Sequence, residues 1–560
     1  MLNQKSYLYY LKKEPSANSH RVRIAIAANC STESMAKVMR GYFADQGIDL
    51  TILESAFDTV NLSVLDNSSA FYQNSVDFLL LYYSPLKLRD DFYKSEDKNK
   101  FADDFLSDFH QSIARLKEKN LKVVLTSLPT SMERCLGNAS AVNESTLIFQ
   151  LQKINQAIKQ TVRENSHCLL LDIEHLSNRI GLDNFHSEKL WSMGKYPCHT
   201  NYYPHIASEL FKIHQASRGF IKKVLVLDLD NTLWGGMIGE DGIEGIEVFR
   251  EFQYYLRSLK EKGYLLTVCS KNSYENAILP FRNHPDMILK EEDIALFIAN
   301  WEPKSTNLQS ISKQLNLGLD SFVFIDDSSF ERNEIRHSLP EVLVPELTDD
   351  PTEYISLIDR AGFLEVHTTS NADLNRTLQY RQETERQQLQ VASGNIEDYL
   401  RGLGMTCKVE RLNSGNIERA AQLILRSNQF NLRTQRLSRS DLERIAADKK
   451  YVSLCFSLKD KLGDAGLISV VVCEIEGKEL FVKELVMSCR VLKRGVESFI
   501  FNQIIDVACE NSLGNIKAEY IPTEKNSIVA NLLPQQGFVD SLLQAKAENK
   551  TQNFISRIDA

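Results

Sequence analysis

Nowhere in this chain do two cysteines stand in a C-x-x-C pair, and its 10 cysteines follow no regular spacing. A zinc ribbon and a disulfide framework are thereby excluded as organising devices, and reduced thiols in a cytosol are expected. Excess positive charge is missing as well. The formal net charge is -9, whereas nonspecific nucleic-acid binding needs a basic surface to displace counterions. An anionic small substrate is still allowed, because one site can be positive inside an acidic protein. Long apolar runs are absent: the longest, near Phe78–Tyr83, is strand-sized, too short for a membrane span. The opening "MLNQKSYLYYLKKEPSANSH" has no uninterrupted apolar stretch of the kind that directs secretion. A cytoplasmic location is therefore expected, with neither nucleic acid nor membrane as partner. Internal repeats and low-complexity tracts are also lacking.

What is present reads as ordinary globular protein, 43% hydrophobic and 25% charged over 560 residues, too long for one core. Between Val22 and Asp172, five apolar runs alternate with helically spaced segments. The runs are Val22–Ala28, Asp49–Ser55, Val76–Ser84, Leu121–Pro129 and His167–Ile173; the segments include Phe101–Lys119 and Leu147–Glu164. That alternation predicts a doubly wound α/β domain over residues 1–217. A second α/β unit, residues 218–365, has strands at Val224–Leu227, Tyr264–Ser270 and Ser321–Asp327. Residues 366–402 form a helical linker whose stretch Asp373–Gln390 is polar on nearly every face, as in a helix that bridges domains. From residue 403 to 560 the pattern changes to "YVSLCFSL", "GLISVVVCEI" and "ELFVKELVMS", antiparallel in style, followed by an apolar helix Val496–Glu510. This predicts an α+β domain.

The chemistry begins at "KKVLVLDLDNTLWGG", where a buried-type strand delivers Asp228 and Asp230 on one side of the backbone. One carboxylate there can attack phosphorus while the other handles a proton. "LLTVCSKN" ends a second strand with Ser270, a hydroxyl for a phosphate oxygen, and "NWEPKSTN" supplies Lys304 as a compact cation. "FVFIDDSSFER" ends a third with Asp326 and Asp327, hard oxygen ligands suited to Mg²⁺. Cys269, adjacent to Ser270, should point away into the core. The loops after the first two motifs, Trp234 to Gly263 and Asn272 to Pro303, leave no room for a cap domain. An uncapped site favours a substrate delivered by a macromolecule or another domain.

The order D-x-D-x-T, Ser, Lys, D-D resembles the four motifs of the haloacid dehalogenase (HAD) superfamily. The wording "DLDNTLWGGMIGEDGIEGI", "CSKNSYENA", "NWEPKSTNL", "FVFIDDSSFERNEIRHSLPEV" and "SNQFNLRTQR" is similar to the FkbH-like family, HAD subfamily IIIC. The resemblance implies an SGNH-hydrolase-like N-terminal domain, a HAD-like Rossmannoid centre and a GNAT-like C-terminal domain. It implies Asp228 as nucleophile and Asp230 as general acid/base. Mg²⁺ would be held by Asp228, the Asp230 carbonyl and Asp326, with Asp327 in support and Thr232 steadying the phosphate loop. In "MSCRVLKRGVESFIFNQII" it places a phosphopantetheine or CoA loop of form [QR]-x-x-G-x-[GA], with contacts from Arg490, Arg494 and Gly495, and from Asn526 downstream. Lys493 stands where the first glycine of that loop is usual. Cys489, beside Arg490, is a candidate acyl-carrying thiol, with a small buried residue as its alternative.

The N-terminal domain lacks the G-D-S signature of active SGNH hydrolases, having "ANCSTES" instead. Asp172 and His175 have D-x-x-H spacing without a clear Ser nucleophile, and His199 and His205 read as structural or surface residues. This domain is expected to be a degenerate scaffold or carrier-docking module. The function implied is a Mg²⁺-dependent enzyme that processes a phosphorylated three-carbon acyl donor of the 1,3-bisphosphoglycerate type. It would pass the glyceryl group to an acyl carrier protein in polyketide-type secondary metabolism. The alternatives are a phosphatase or acyltransferase of surface-polysaccharide assembly, and a non-catalytic protein that binds carriers.

Overall fold

In the computed structural model, residues 5–16, 19–365, 376–392, 395–523 and 525–559 are described. The expected start of the linker, 366–375, lies outside them. The chain divides into two compact units, Met1–His214 and Gln215–Ala560, so the first domain boundary falls three residues before the expected 217/218. The second unit carries two separate sheets.

In the first unit, β1 (His20–Ala28), β2 (Ile48–Glu54), β3 (Phe78–Tyr82), β4 (Val123–Thr126) and β5 (Cys168–Leu171) form a parallel sheet in the order β2-β1-β3-β4-β5. The β1 side chains explain why such strands read as unbroken apolar runs. Ile24 and Ile26 enter one core with Met35, Val38 and Phe43 of α1 (Glu33–Asp45). Ala25 and Ala27 enter another with Phe109 and Ile113 of α2 (Phe101–Glu118) and Ile154 of α3 (Leu147–Glu164). Helices thus cover both faces, as doubly wound sheets require. Gly41 is needed where the chain crosses α1: a Cβ there would lie 1.8 Å from the Tyr10 carbonyl oxygen.

In the second unit, β6 (Val224–Leu227), β7 (Leu265–Ser270), β8 (Ile294–Ala299) and β9 (Phe322–Ile325) form a parallel sheet ordered β8-β7-β6-β9. Strand β8 is an addition to the three strands expected from sequence. Here too alternate residues face opposite cores, Leu225 and Leu227 one way, Val224 and Val226 the other. Between β6 and the helix Arg250–Glu261 lies only a short hairpin, Trp234–Gly235 with Glu247–Val248, enclosing the helix Ile238–Gly245.

The second sheet of this unit has seven strands: β10 (Thr406–Glu410), β11 (Tyr451–Asp460), β12 (Gly463–Glu476), β13 (Glu479–Met487), β14 (Asn515–Ala518), β15 (Leu542–Gln544) and β16 (Ser556–Asp559). Their order is β15-β14-β13-β12-β11-β10-β16. The four strands β10 to β13 are antiparallel as expected, whereas β13/β14 and β10/β16 pair in parallel. Four helices of this unit frame its two sheets: α4 (Lys304–Leu315), α5 (Ser329–Ser338), α6 (Arg376–Ala392) and α7 (Ile417–Arg426). A fifth, α8 (Val496–Glu510), is the crossover between β13 and β14.

Helix α6 does bridge. Tyr380 sits in the core of the HAD-like sheet. Arg386 makes a bidentate pair with Asp460 of β11, Nε and Nη2 each donating at 2.8 Å. Arg494 also donates to Asp460, at 3.3 Å, and to Glu383 of α6, closing a buried network of two arginines and two acids. No helix among the described residues is long and apolar enough to cross a membrane.

Candidate active site

Three neighbouring strands of the HAD-like sheet end on polar residues at one edge: β6 before Asp228, β7 on Ser270 and β9 before Asp326. These are carboxyl ends of parallel strands, where open α/β sheets gather their ligands. Lys304 comes to the same edge as the first residue of α4, directly after Pro303.

The groups converge. Lys304 Nζ lies 2.9 Å from Asp228 Oδ2 and 2.6 Å from Asp326 Oδ2, and all three residues are buried. Carboxylate oxygens of Asp228, Asp326 and Asp327 lie within 4.8 Å of one another. Two of these three carboxylates thus share one ammonium. Burial works to lower the Lys304 pKa, but the Asp228 and Asp326 charges overcome it and hold the amine protonated. Burial, and then the Asp228 charge, pushes Asp326 up to about 7, and the same two causes raise Asp327. The surplus negative charge calls for a divalent cation. Asp228 Oδ1 is buried without a hydrogen-bond partner among the described residues, an orphaned acceptor that a metal ion would satisfy. The donor set, all oxygen, fits Mg²⁺.

Asp230 stands apart from that carboxylate cluster. Its Oδ1 accepts from Trp234 Nε1 at 2.9 Å and from the Ile238 amide at 3.1 Å, and its Oδ2 accepts from Asn272 Nδ2 at 3.3 Å. Burial raises its pKa against those donors. The side chain is therefore held in one orientation, which leaves the Asp230 carbonyl as its expected metal contact. Thr232 Oγ1 donates to Asp327 Oδ1 and accepts from the Asp327 amide, both at 3.2 Å, so it braces the loop after β6 against the loop after β9. Ser270 is buried at the end of β7, its carbonyl accepting from the Asn300 amide at 3.2 Å. Cys269 is buried among the core residues of the other face, and burial pushes its thiol up to about 12.

Trp234, Asn272 and Arg332 were not singled out from sequence. Trp234 orients Asp230 from four residues on. Arg332 of α5 donates to the Asp326 carbonyl at 2.8 Å and the Asp327 carbonyl at 2.6 Å, clamping the metal-side loop.

The model of the FkbH N-terminal domain matches residues 23–215. The N-terminal part of a Bacteroides fragilis protein containing a phosphatase domain, solved in complex with Mg, is 29% identical with a TM-score of 0.62. The match covers 65% of this chain and 100% of that one. The chain is thus similar to FkbH over residues 23–215. In this chain Asp228, Asp326 and Asp327 are the carboxylates that could hold a metal ion. Two acetyltransferases match a smaller part. The ribosomal-protein-S18-alanine N-acetyltransferase of Escherichia coli is 13% identical, with a TM-score of 0.20, covering 24% of this chain and 78% of that one. The spermidine N-acetyltransferase of Vibrio cholerae with CoA and spermine is 17% identical, with a TM-score of 0.19, covering 24% and 81%. No curated protein matches the chain.

In the C-terminal part of the chain, the side chains of two expected pantetheine contacts are engaged within the protein. Asn526 is fully buried and its side chain is saturated. Oδ1 accepts from the Thr523 amide at 2.7 Å and from the Tyr520 hydroxyl at 3.3 Å, and Nδ2 donates to the Asn431 and Ile521 carbonyls, both at 2.9 Å. Arg494 is held in the ion-pair network with Asp460 and Glu383. Both side chains are taken up by partners within the protein. The reason lies in the strands. β13 runs on to Met487 after its last pairing with β14, at Val482↔Ala518. The chain's own Phe430–Leu432 fills the gap: the Phe430 carbonyl accepts from Met487, Leu432 donates to Leu485, and the Leu432 carbonyl accepts from Ile521.

Arg490 is buried, its Nε donating to Ser488 Oγ at 3.1 Å and its Nη1 to Gln379 of α6. Gly495 caps α8 with φ 72° and has open space where a Cβ would stand. Lys493 adopts φ 62°, the left-handed region that costs a residue with a Cβ roughly 1–2 kcal/mol. Lys493→Gly is therefore expected to raise stability by about 1 kcal/mol, read from the denaturant midpoint.

Cys489 lies far from the phosphatase residues. Its carbonyl accepts from Asn316 Nδ2 at 3.1 Å, and its Sγ is 3.7 Å from the Tyr380 hydroxyl. Asn316 caps the C-terminus of α4, whose first residue is Lys304. Twelve residues of helix put about 18 Å between the two ends. The thiol is not a member of the Asp228 centre.

Proposed function

We propose that the chain removes a phosphate monoester from a phosphorylated three-carbon acyl donor of the 1,3-bisphosphoglycerate type, whose acyl group is loaded on an acyl carrier protein in secondary metabolism. The observation that carries the phosphatase half is Lys304 bridging Asp228 and Asp326 beside an unpartnered Asp228 oxygen.

In this reading Asp228 attacks phosphorus and the ester oxygen leaves, protonated by Asp230, so that the phosphoryl group resides on Asp228 until water removes it. Asp228, Asp326 and the Asp230 carbonyl, with Asp327 beside them, would hold Mg²⁺, which when bound would offset charge on the phosphoryl oxygens. Lys304 and Ser270 hold those oxygens, and Trp234, Ile238 and Asn272 keep Asp230 in one orientation. Thioester formation is a different bond change. The carrier thiol attacks the acyl carbon and the acyl-phosphate oxygen leaves as phosphate, so attack at phosphorus on that group would waste it as free acid. A two-phosphate donor therefore needs the Asp228 centre for its ester phosphate alone. The short hairpin over β6, in place of a cap, supports a substrate as large as a loaded carrier.

The test is incubation with 1,3-bisphosphoglycerate, Mg²⁺ and a set of acyl carrier proteins, followed by intact mass of each carrier and phosphate release. A glyceryl-sized gain on one carrier supports the reading. Phosphate release with no gain on any carrier confines the chain to phosphatase chemistry. Chelation with EDTA should abolish phosphate release and added Mg²⁺ restore it. Cys489→Ala should leave the release rate within about twofold, because the thiol is a helix length away; a collapse in that rate would show a closer arrangement in turnover.

A further inference from the structure

The end of the HAD-like sheet opposite Asp228 is not closed over. A cavity of about 310 Å³ lies there, within the range of small-molecule sites. Lys223 immediately precedes β6, Leu265 begins β7 and Ser321 immediately precedes β9; all three line it. The other wall comes from α7, whose Arg419, Gln422, Leu423 and Arg426 recur at i, i+3, i+4 and i+7 and so share one face. Gln379 and Tyr380 of α6 and the turn from Ser488 to Arg490 complete it. Gly219 allows the close approach of these parts: it has φ +74° and a Cβ there would lie 2.0 Å from the Leu425 carbonyl oxygen.

Two features of this cavity point to a ligand. Among the described residues, its charged lining is Lys223, Arg419, Arg426, Arg490 and Lys525 with Asp320, which pairs with Lys525, so the lining is net cationic in a chain of net charge -9. Gln422 is 2% exposed; its Oε1 accepts from Arg419 at 3.2 Å, while its Nε2 is buried with no hydrogen-bond partner among the described residues. A buried amide donor of that kind requires an acceptor from outside the chain or a water. Leu265, Leu317, Phe430 and Met487 offer apolar surface beside these groups.

We infer that this cavity is a second ligand site, taking a phosphate-bearing small molecule whose anion meets the α7 arginines and the Gln422 amide. It does not rest on the phosphatase reading, since no residue of the Asp228 centre lines it. Two sources could present such a group, a free phosphorylated acid or the phosphate of a pantetheine carrier, and Cys489 in the wall would report on either.

The full-length chain is titrated by calorimetry, without Mg²⁺, with CoA, 3-phosphoglycerate and uncharged pantetheine. CoA or 3-phosphoglycerate should bind saturably and pantetheine should not. The double variant Arg419→Ala/Arg426→Ala should weaken binding roughly tenfold to a hundredfold, and Asp228→Asn should leave it unchanged. The bound ligand should also slow alkylation of Cys489 by iodoacetamide, read by peptide mass. The exposed Cys135 and Cys509 should keep their rates, and this readout decides the matter if the double variant does not fold. Binding of CoA alone traces the phosphate to a pantetheine carrier, and binding of 3-phosphoglycerate alone to a free acid. Absence of binding by both phosphate probes, equal binding of pantetheine, or an unprotected Cys489 would overturn the inference.

Discussion

Asp228→Asn is expected to lower phosphate release by about a thousandfold or more, with no fall in melting temperature. The substitution keeps the side chain's shape while removing the oxygen charge that attacks phosphorus and faces the metal. It also removes one of three crowded carboxylates, so Lys304 keeps its 2.6 Å partner Asp326 and the fold loses nothing it depends on. The contrast between activity and stability is the informative part. A residue that merely held the loop, as Thr232 does through its two bonds to Asp327, would move both readouts together. Retained turnover in Asp228→Asn would mean that another group attacks phosphorus.

The second large effect is structural. Asp460→Ala should destabilise the Gln215–Ala560 unit by about 3–5 kcal/mol, because it leaves the buried guanidinium groups of Arg386 and Arg494 with Glu383 as their one remaining carboxylate in the network. Asp460 Oδ1 also accepts from the Leu462 and Gly463 amides, at 2.9 and 3.1 Å, and those donors would be orphaned too. Denaturant unfolding with an unchanged m-value would measure it. A loss below about 1 kcal/mol would mean that water reaches the network and that the pairs behave as surface ion pairs. The consequence extends beyond stability. Asp460 ties down α6, and α6 carries Gln379 and Tyr380 to the wall of the basic cavity and to Cys489.

How legible is this fold in the sequence? The parallel strands are, because burial on both faces writes an unbroken apolar run, as at Val224–Leu227. The Asp228 centre is legible for a related reason: each of its strands ends on a polar residue, and strand ends in a parallel sheet share an edge. Strand β8 is not, since a short apolar run such as Ile294–Ala299 does not distinguish strand from buried helix by periodicity. Trp234 stands in plain view within the first motif, but a ring nitrogen reaching back to a carboxylate leaves no mark in spacing alone.

The C-terminal residues fail for another reason. The loop motif identifies Arg494 and Asn526 by residue type and spacing, but their partners lie far off in sequence: Glu383 and Asp460 for one, Asn431 for the other. No local pattern shows that Phe430–Leu432 will fill the gap beside β13. Cys489 carries a similar ambiguity. Its neighbour Arg490 suggests an activated thiol at a ligand loop, whereas the fold gives both residues to the junction with α6, where Arg490 donates to Gln379.

The most direct test of the central claim, that Asp228 is a phosphoryl-accepting group in a Mg²⁺ centre, is a crystal structure grown with Mg²⁺ and beryllium trifluoride, a mimic of a bound phosphoryl group. The account predicts the fluoride adduct on the Asp228 carboxylate, Lys304 and Ser270 against its fluorines, and the ion held by Asp228 and Asp326. An ion bound elsewhere with Asp228 unmodified would contradict it.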